Sequence, residues 1–129
     1  MDDQVTLFET AGGQAFFDRL VTLFYDGVAA DPLLRPMYPE DLTGPRRHLA
    51  MFLGQYWGGP SAYQEERGHP RLRMRHAPFP IDVEARDRWL THMRGAVDAM
   101  DPEPTVRTAL LEYFDYAADS LRNVAEDTP

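Results

Sequence analysis

The chain has 129 residues, a formal net charge of −8 and no cysteine. This length suits one domain whose core needs no disulfide, so we expect a single domain over residues 1–129 with a frayed tail at 125–129. Without cysteine, thiolate-ligated zinc, iron–sulfur clusters and a thiolate nucleophile are excluded, and a metal must be bound by histidine or carboxylates.

The first predicted helix covers residues 16–28. It lies between the breaker Gly12–Gly13 and the pair Asp31–Pro32, because proline pushes the residue before it out of the helical region. Its apolar side chains have the i, i+4, i+7, i+11 spacing of one buried face. They are Phe17, Val21, Phe24 and Val28. A short turn over 34–38 follows.

The second predicted helix has Pro45 in its first turn and ends at Gly58–Pro60, a sequence that helices rarely cross. Ser61 and Gln64 then fit a capping box for a brief helix over 62–67, closed by Gly68. Residues 70–77 form one or two further turns before Pro78. The apolar stripe of the second helix consists of Leu49, Phe52, Leu53 and Tyr56.

Two long helices complete the chain, with Asp82 and Thr105 as their predicted N-caps. No segment indicates a strand, so the predicted fold class is all-α with four substantial helices. The stripe of the first contains Trp89, Leu90, Met93, Val97 and Met100, and that of the second contains Val106, Leu110, Phe114, Ala117, Leu121 and Val124.

The basic segment Arg71–Phe79 contains one histidine, His76, in an otherwise acidic protein. Such a segment can offer an imidazole to a metal and guanidinium groups to neighbouring carboxylates. By itself it fits a solvated basic helix equally well. Tyr25, Tyr38 and Trp89 each pair an apolar ring with one hydrogen-bond donor, although any of them taken alone is more often a core or boundary aromatic.

Taken in chain order, the motifs of this sequence resemble those of the truncated haemoglobins, and specifically of their group II. The resemblance covers nearly the whole chain, and Gly12–Gly13 and Gly58–Gly59 match the family's two glycine pairs. The segments that carry it are Phe24–Tyr25, Leu34–Arg35, Met37–Asp41, Met51–Leu53, Gln55–Pro60, Arg67–Phe79 and Arg88–Leu90.

The resemblance implies a two-over-two helical sandwich around haem b, with His76 as the proximal iron ligand. It places Tyr25, Tyr38 and Trp89 at the distal polar positions, where donors stabilise the partial negative charge of bound dioxygen. Trp89 has no acceptor lone pair and is the first choice as anchoring donor. The other implied haem contacts are Leu49 and Phe52 as apolar walls, Phe79, and Tyr63, His69 and Arg73 near the propionates.

No distal imidazole is expected, because the distal position where many globins carry histidine falls at Pro45 or a neighbour. His48 lies off the inward stripe, which favours a surface or entrance role. In a shifted register His48 would ligate the iron from the sixth side and give a bis-histidyl haem. His92 is expected to be a satisfied histidine on a helix surface.

The resemblance implies reversible binding of dioxygen and other diatomics such as nitric oxide and carbon monoxide. Several donors around bound oxygen should slow its release, which favours oxygen-dependent redox chemistry over bulk transport. A reductase would keep the iron ferrous. A peroxidase-like enzyme acting on peroxide and a haem-free helical interaction domain remain as alternatives. We expect a cytoplasmic monomer or homodimer that binds neither nucleic acid nor membranes, because the chain is acidic and has neither a leader nor an apolar run of the ~18–20 residues of a span.

Overall fold

The computed structural model of the protein describes residues 6–68, 76 and 81–122. This part of the chain is all-helical, so the predicted fold class and its four substantial helices are confirmed. The short helix α1 was not predicted. The helices are α1 Leu7–Ala11, α2 Gln14–Ala29, α3 Thr43–Tyr56, α4 Ala62–Arg67, α5 Val83–Met100 and α6 Pro104–Ser120, with a 3-10 turn at Arg35–Met37.

Helix α2 is the centre of the molecule. It packs against α3 on one side and α5 on the other, and α5 packs in turn against α6. The four residues of its predicted stripe are at most 1% exposed. None of the helices in the described ranges combines the length and apolar character that a bilayer span needs.

The predicted start of α5 is confirmed, whereas the predicted cap of α6 is wrong. Asp82 accepts a hydrogen bond from the Ala85 amide at 2.8 Å, as an N-cap does. In α6 the N-cap is Glu103, whose carboxylate accepts from the Thr105 amide at 3.3 Å. The helix starts two residues earlier than expected because Pro104, which has no amide to satisfy, is well suited to the first helical position.

Helix α4 has the predicted bounds, and Gly68 follows it with φ +75°, but the capping box at its start is wrong. Ser61 makes no capping hydrogen bond through its side chain. The Gln64 amide instead donates to Oε1 of Gln55 in α3, at 2.9 Å. A side chain from the preceding helix has replaced the local cap.

Helix α6 ends at Ser120, and Leu121 is its C-cap. The predicted stripe residue Val124 and the predicted frayed tail at 125–129 lie outside the described residues. Leu110 and Phe114 from the same stripe are at most 1% exposed.

The Gly58–Gly59 pair forms the bend after α3, and α1 packs onto it. Gly58 has φ +104°, and a Cβ on Gly59 would lie 2.5 Å from Cε1 of Phe8 and 2.7 Å from the Gly54 carbonyl oxygen. The Phe8 amide also donates to the Trp57 carbonyl at 3.1 Å. This bend therefore requires glycine on both steric and conformational grounds.

Candidate functional site

Two of the three predicted distal residues are in direct ring contact. Tyr25 lies on the inner face of α2 and is 5% exposed, while Tyr38 is half-buried just after the 3-10 turn. Their ring centroids are 5.5 Å apart with the planes nearly perpendicular, at 87°. This edge-to-face arrangement is a favourable one for aromatic pairs.

Trp89 brings the third donor to the same place from α5. Its ring centroid lies 5.0 Å from that of Phe24, which is itself 5.0 Å from Tyr25. Trp89 also acts electrostatically on the Tyr38 hydroxyl, because its interaction lowers the pKa of that group against the effect of burial. The structure thus groups the donor-bearing side chains of α2, the loop and α5.

Burial keeps both tyrosines protonated. Desolvation, and to a lesser degree the neighbouring Tyr38, raise the pKa of Tyr25 well above its usual range, although the positive charge of Arg46 opposes this. Desolvation raises the pKa of Tyr38 to about 12, against the opposing hydrogen bond from Trp89. Both hydroxyls are therefore available as donors near neutral pH.

Asp31 connects the loop that carries Tyr38 to the helix that carries Trp89. Its Oδ1 accepts hydrogen bonds from the amides of Leu33 at 2.9 Å and Leu34 at 3.2 Å. The same oxygen lies 2.9 Å from the Arg88 guanidinium, and Oδ2 lies 2.7 Å from Nε2 of His92. Arg88 and His92 flank Trp89 on α5, so this one carboxylate holds the loop against the helix.

Although burial raises the pKa of Asp31, the hydrogen bonds from His92, the two amides and Arg88 outweigh it and hold the pKa far below its usual range. The carboxylate is 7% exposed. His92, expected on the surface, is half-buried, and it is satisfied by this partner.

The loop after the 3-10 turn is held by one arginine. The Arg35 guanidinium donates to the carbonyls of Pro39 at 2.9 Å and Glu40 at 2.7 Å, and to that of Tyr38 at 3.4 Å. Three backbone acceptors that have no partner in a helix or strand are thereby satisfied. This fixes the backbone on which the Tyr38 ring is carried.

The predicted apolar wall lies on α3 and contacts α4. Leu49 and Phe52 are half-buried against the core. The Phe52 ring is 5.4 Å from that of Tyr63, which is 4% exposed. Tyr63 is therefore placed beside a predicted haem contact.

His76, the predicted proximal ligand, is helical and half-buried. The predicted contacts His69, Arg73 and Phe79 lie outside the described residues.

The imidazole of His48 interacts with two side chains of α4. Its Nε2 lies 3.0 Å from a carboxylate oxygen of Glu66, and its Nδ1 lies 2.7 Å from the Arg67 guanidinium. Both ring nitrogens are engaged, which supports the surface role over iron ligation.

Sequence reasoning missed one residue near Tyr25. Arg46 on α3 is half-buried, and its Nε is fully buried with no hydrogen-bond partner in the described part of the chain. The signal was present in the sequence, because Arg46, Ala50 and Leu53 have the i, i+4, i+7 spacing of one helical face. Ala50 and Leu53 are 4% and 1% exposed.

A concavity between α5 and α6 includes none of the predicted haem-site residues in its lining. Two ion pairs cross it, Arg86 with Asp119 at 2.6 Å and Arg94 with Asp115 at 2.5 Å. Both of its arginines are paired with aspartates of the chain, so neither guanidinium is left to bind an anionic ligand.

Comparison with known proteins identifies the family. The model of the bacterial-like globin family matches residues 6–123. Group 2 truncated hemoglobin YjbI of Bacillus subtilis is 44% identical over 114 residues, which cover 88% of this chain and 86% of that protein.

Two solved structures extend the comparison. A thermostable hemoglobin from the actinobacterium Thermobifida fusca is 55% identical and superposes with a TM-score of 0.92 over 95% of this chain and 100% of its own. A truncated oxygen-avid haemoglobin from Bacillus subtilis is 42% identical, with a TM-score of 0.87 over 92% and 100% of the two chains. This chain therefore belongs to the bacterial-like globins, as a group II truncated haemoglobin.

Proposed function

We propose that this protein binds haem b and uses it to bind dioxygen and other diatomic ligands for oxygen or nitric oxide chemistry or scavenging. Membership of the truncated haemoglobins supports haem-based oxygen binding. The observation that carries the rest is the grouping of Tyr25, Tyr38 and Trp89, each with its own donor, from three separate elements. The related Bacillus subtilis haemoglobin is oxygen-avid.

The residues present fit a haem. His76 supplies an imidazole, the usual proximal ligand of haem iron. Leu49 and Phe52 on α3 are only half-buried, which leaves apolar surface that a planar apolar ring could cover. Arg46 has a buried nitrogen without a partner in the described ranges, as expected where a polar ligand completes a site. The haem would supply the iron at which a diatomic ligand binds.

The chain's own contribution is to hold that ligand. Trp89 can only donate, and burial keeps Tyr25 and Tyr38 protonated, so all three present donors to a ligand with partial negative charge. A ligand held by several donors leaves slowly. Slow release favours chemistry or scavenging over transport.

The two alternatives are less well supported. A peroxidase needs a distal base, and both nitrogens of His48 are engaged by α4 residues. Turnover of a phenol with hydrogen peroxide, measured at steady state, is the assay for that activity. Globin membership favours the haem protein over a haem-free interaction domain.

Haem ligation is tested by reconstituting the wild-type protein and two histidine variants and recording visible spectra, ferrous under nitrogen and then in air. The wild-type protein should give a five-coordinate ferrous spectrum and then a persistent oxygenated form. His76→Gly should lose the five-coordinate spectrum and regain it when imidazole is added. His48→Gln, the matched control, should behave as wild type, and a changed ferrous spectrum in that variant would instead support bis-histidyl ligation.

The donor group is tested by oxygen dissociation measured with stopped-flow absorbance. Trp89→Phe should accelerate release tenfold or more, because a charge-assisted hydrogen bond contributes ~1.5–3 kcal/mol. Trp57→Phe is the matched control, since Trp57 packs 5.0 Å from Tyr113 and 6.0 Å from Phe17 among core rings. Equal rates in wild type and Trp89→Phe would remove Trp89 from the mechanism.

A further inference from the structure

Arg46 is an arginine at an inward-facing position of α3. It precedes buried Ala50 by one turn and buried Leu53 by two, so the three share one face of the helix. A long cationic side chain at such a position costs free energy unless a partner satisfies it.

The neighbouring arginine provides a direct contrast. Arg47 is 57% exposed and its guanidinium makes two hydrogen bonds to the Glu66 carboxylate, at 2.7 and 2.6 Å. Arg46 is half-buried, and within residues 6–68, 76 and 81–122 no side-chain hydrogen bond or ion pair satisfies it. The outward-facing Arg47 is thus paired with a carboxylate, whereas the inward-facing Arg46 has no such partner in the described residues.

The charge of Arg46 acts on the site already described. Arg46 is on the inward face of α3, which packs against α2, the helix that carries buried Tyr25. Its charge lowers the pKa of Tyr25 against the effect of burial. It also acts on Asp41, an exposed carboxylate that is engaged by the Thr43 amide at 2.9 Å. Asp41 is not within ion-pair distance of Arg46. The chain thus holds a cation beside the distal donors and provides no anion to neutralise it in its described part.

We propose that Arg46 makes the ligand side of the haem site, beside Tyr25, selective for small monovalent anions over neutral ligands. This rests on the proposed function, because the anion would bind at ferric haem iron on the side of Tyr25, Tyr38 and Trp89. A guanidinium attracts an anion by charge and offers several fixed N–H donors, whereas a neutral ligand gains only the hydrogen bonds. Anion selectivity is thereby added to a site whose other donors are uncharged.

Equilibrium titrations of the ferric haem protein test this, with azide as the anion and imidazole as the neutral ligand, followed by the shift of the Soret band. The measurement is made at constant ionic strength and pH about 8, where imidazole is mostly neutral. Arg46→Gln should raise the Kd of azide at least tenfold, equivalent to ~1.4 kcal/mol, and change that of imidazole less than threefold. Arg46→Lys should retain part of the azide affinity.

Arg47→Gln is the matched control, because it removes the same charge from the next residue but from the exposed side. It should leave both constants unchanged. An equal loss of azide affinity in the two variants would mean that net charge alone is responsible and would overturn the proposal. A similar change for azide and imidazole in Arg46→Gln would assign Arg46 a steric role and would also overturn it.

Two further outcomes separate this inference from the proposed function. If the wild-type protein takes up no stoichiometric haem, the proposed function fails. If haem binds normally and Arg46→Gln leaves the Kd of azide unchanged, only the role of Arg46 fails. Should Arg46→Gln release haem faster without affecting azide, the guanidinium pairs with a carboxylate of the cofactor, and the proposal is wrong.

Discussion

Replacing Asp31 by asparagine should lower the free energy of unfolding by about 2–4 kcal/mol. The amide oxygen of asparagine can still accept from Leu33, Leu34 and Arg88, but the bond to Arg88 loses its charge assistance, about 1 kcal/mol. At the other oxygen, 2.7 Å from Nε2 of His92, an NH2 group would replace the acceptor. A half-buried donor left without its partner costs about 1–3 kcal/mol more.

The pH dependence has a definite sign. Because the native pKa of Asp31 is depressed, its contribution is complete above the unfolded pKa of about 4 and is lost as the pH falls through the native value. The difference between wild type and Asp31→Asn should therefore be constant near neutral pH and shrink in acid.

The assay is urea unfolding of the haem-loaded proteins at pH about 7 and equal haem saturation, followed by far-UV circular dichroism. The matched control is Asp115→Asn, which removes an exposed pair with Arg94 and should cost at most about 1 kcal/mol. The same Asp31→Asn protein should also release oxygen faster, because Arg88 and His92 flank Trp89. A loss of stability no larger than that of Asp115→Asn would refute the argument that this carboxylate joins the loop to α5.

Two smaller perturbations test neighbouring features. A Cβ on Gly27 would lie 2.5 Å from Nδ1 of His92, so Gly27→Ala should lower the free energy of unfolding by about 1–3 kcal/mol in a thermal denaturation experiment. Gly95→Ala, with no atom within 4 Å of its Cβ, should be neutral or stabilising by up to ~1 kcal/mol. Tyr38→Phe should leave the rise in tyrosinate absorbance between pH about 9 and 11 unchanged, because burial raises the pKa of Tyr38 to about 12. A smaller rise in that variant would show that Tyr38 ionises normally. In the wild type, the contribution of the raised pKa of Tyr38 to stability should be complete below the unfolded pKa of about 10 and decrease as the pH rises toward about 12.

Helices were predictable wherever an apolar stripe repeats over several turns. The stripes on α2 and α5 lie in the core as expected, because burial of one face requires only the helical period. Helix α1 has five residues, too few for a period to show. The N-terminal caps of α4 and α6 were predicted less well, because Gln55 lies nine residues before the amide it caps and Pro104 moved the cap from Thr105 to Glu103.

The candidate site divides in the same way. Tyr25, Tyr38 and Trp89 were indicated by residue type and by family resemblance, and the structure brings them together. The Asp31 contacts could not be predicted, since Arg88 and His92 are 57 and 61 residues away and no local pattern links them. Arg46 was missed because the stripe was read from apolar residues alone, and the guanidinium takes up an inward position that such a reading skips.

The hydrogen-bond donors of the site come from elements that differ in how much of the core depends on them, and this affects which substitutions the site tolerates. Tyr25 belongs to α2, whose inner residues contact α3 and α5 at once, so substitutions there disturb packing throughout the domain. The connection that leads from the 3-10 turn into the first turn of α3 contains Tyr38 and Arg46, and both are only half-buried. Substitutions in this connection should therefore change the charge and donor strength offered to a ligand with less effect on core packing than substitutions at Tyr25.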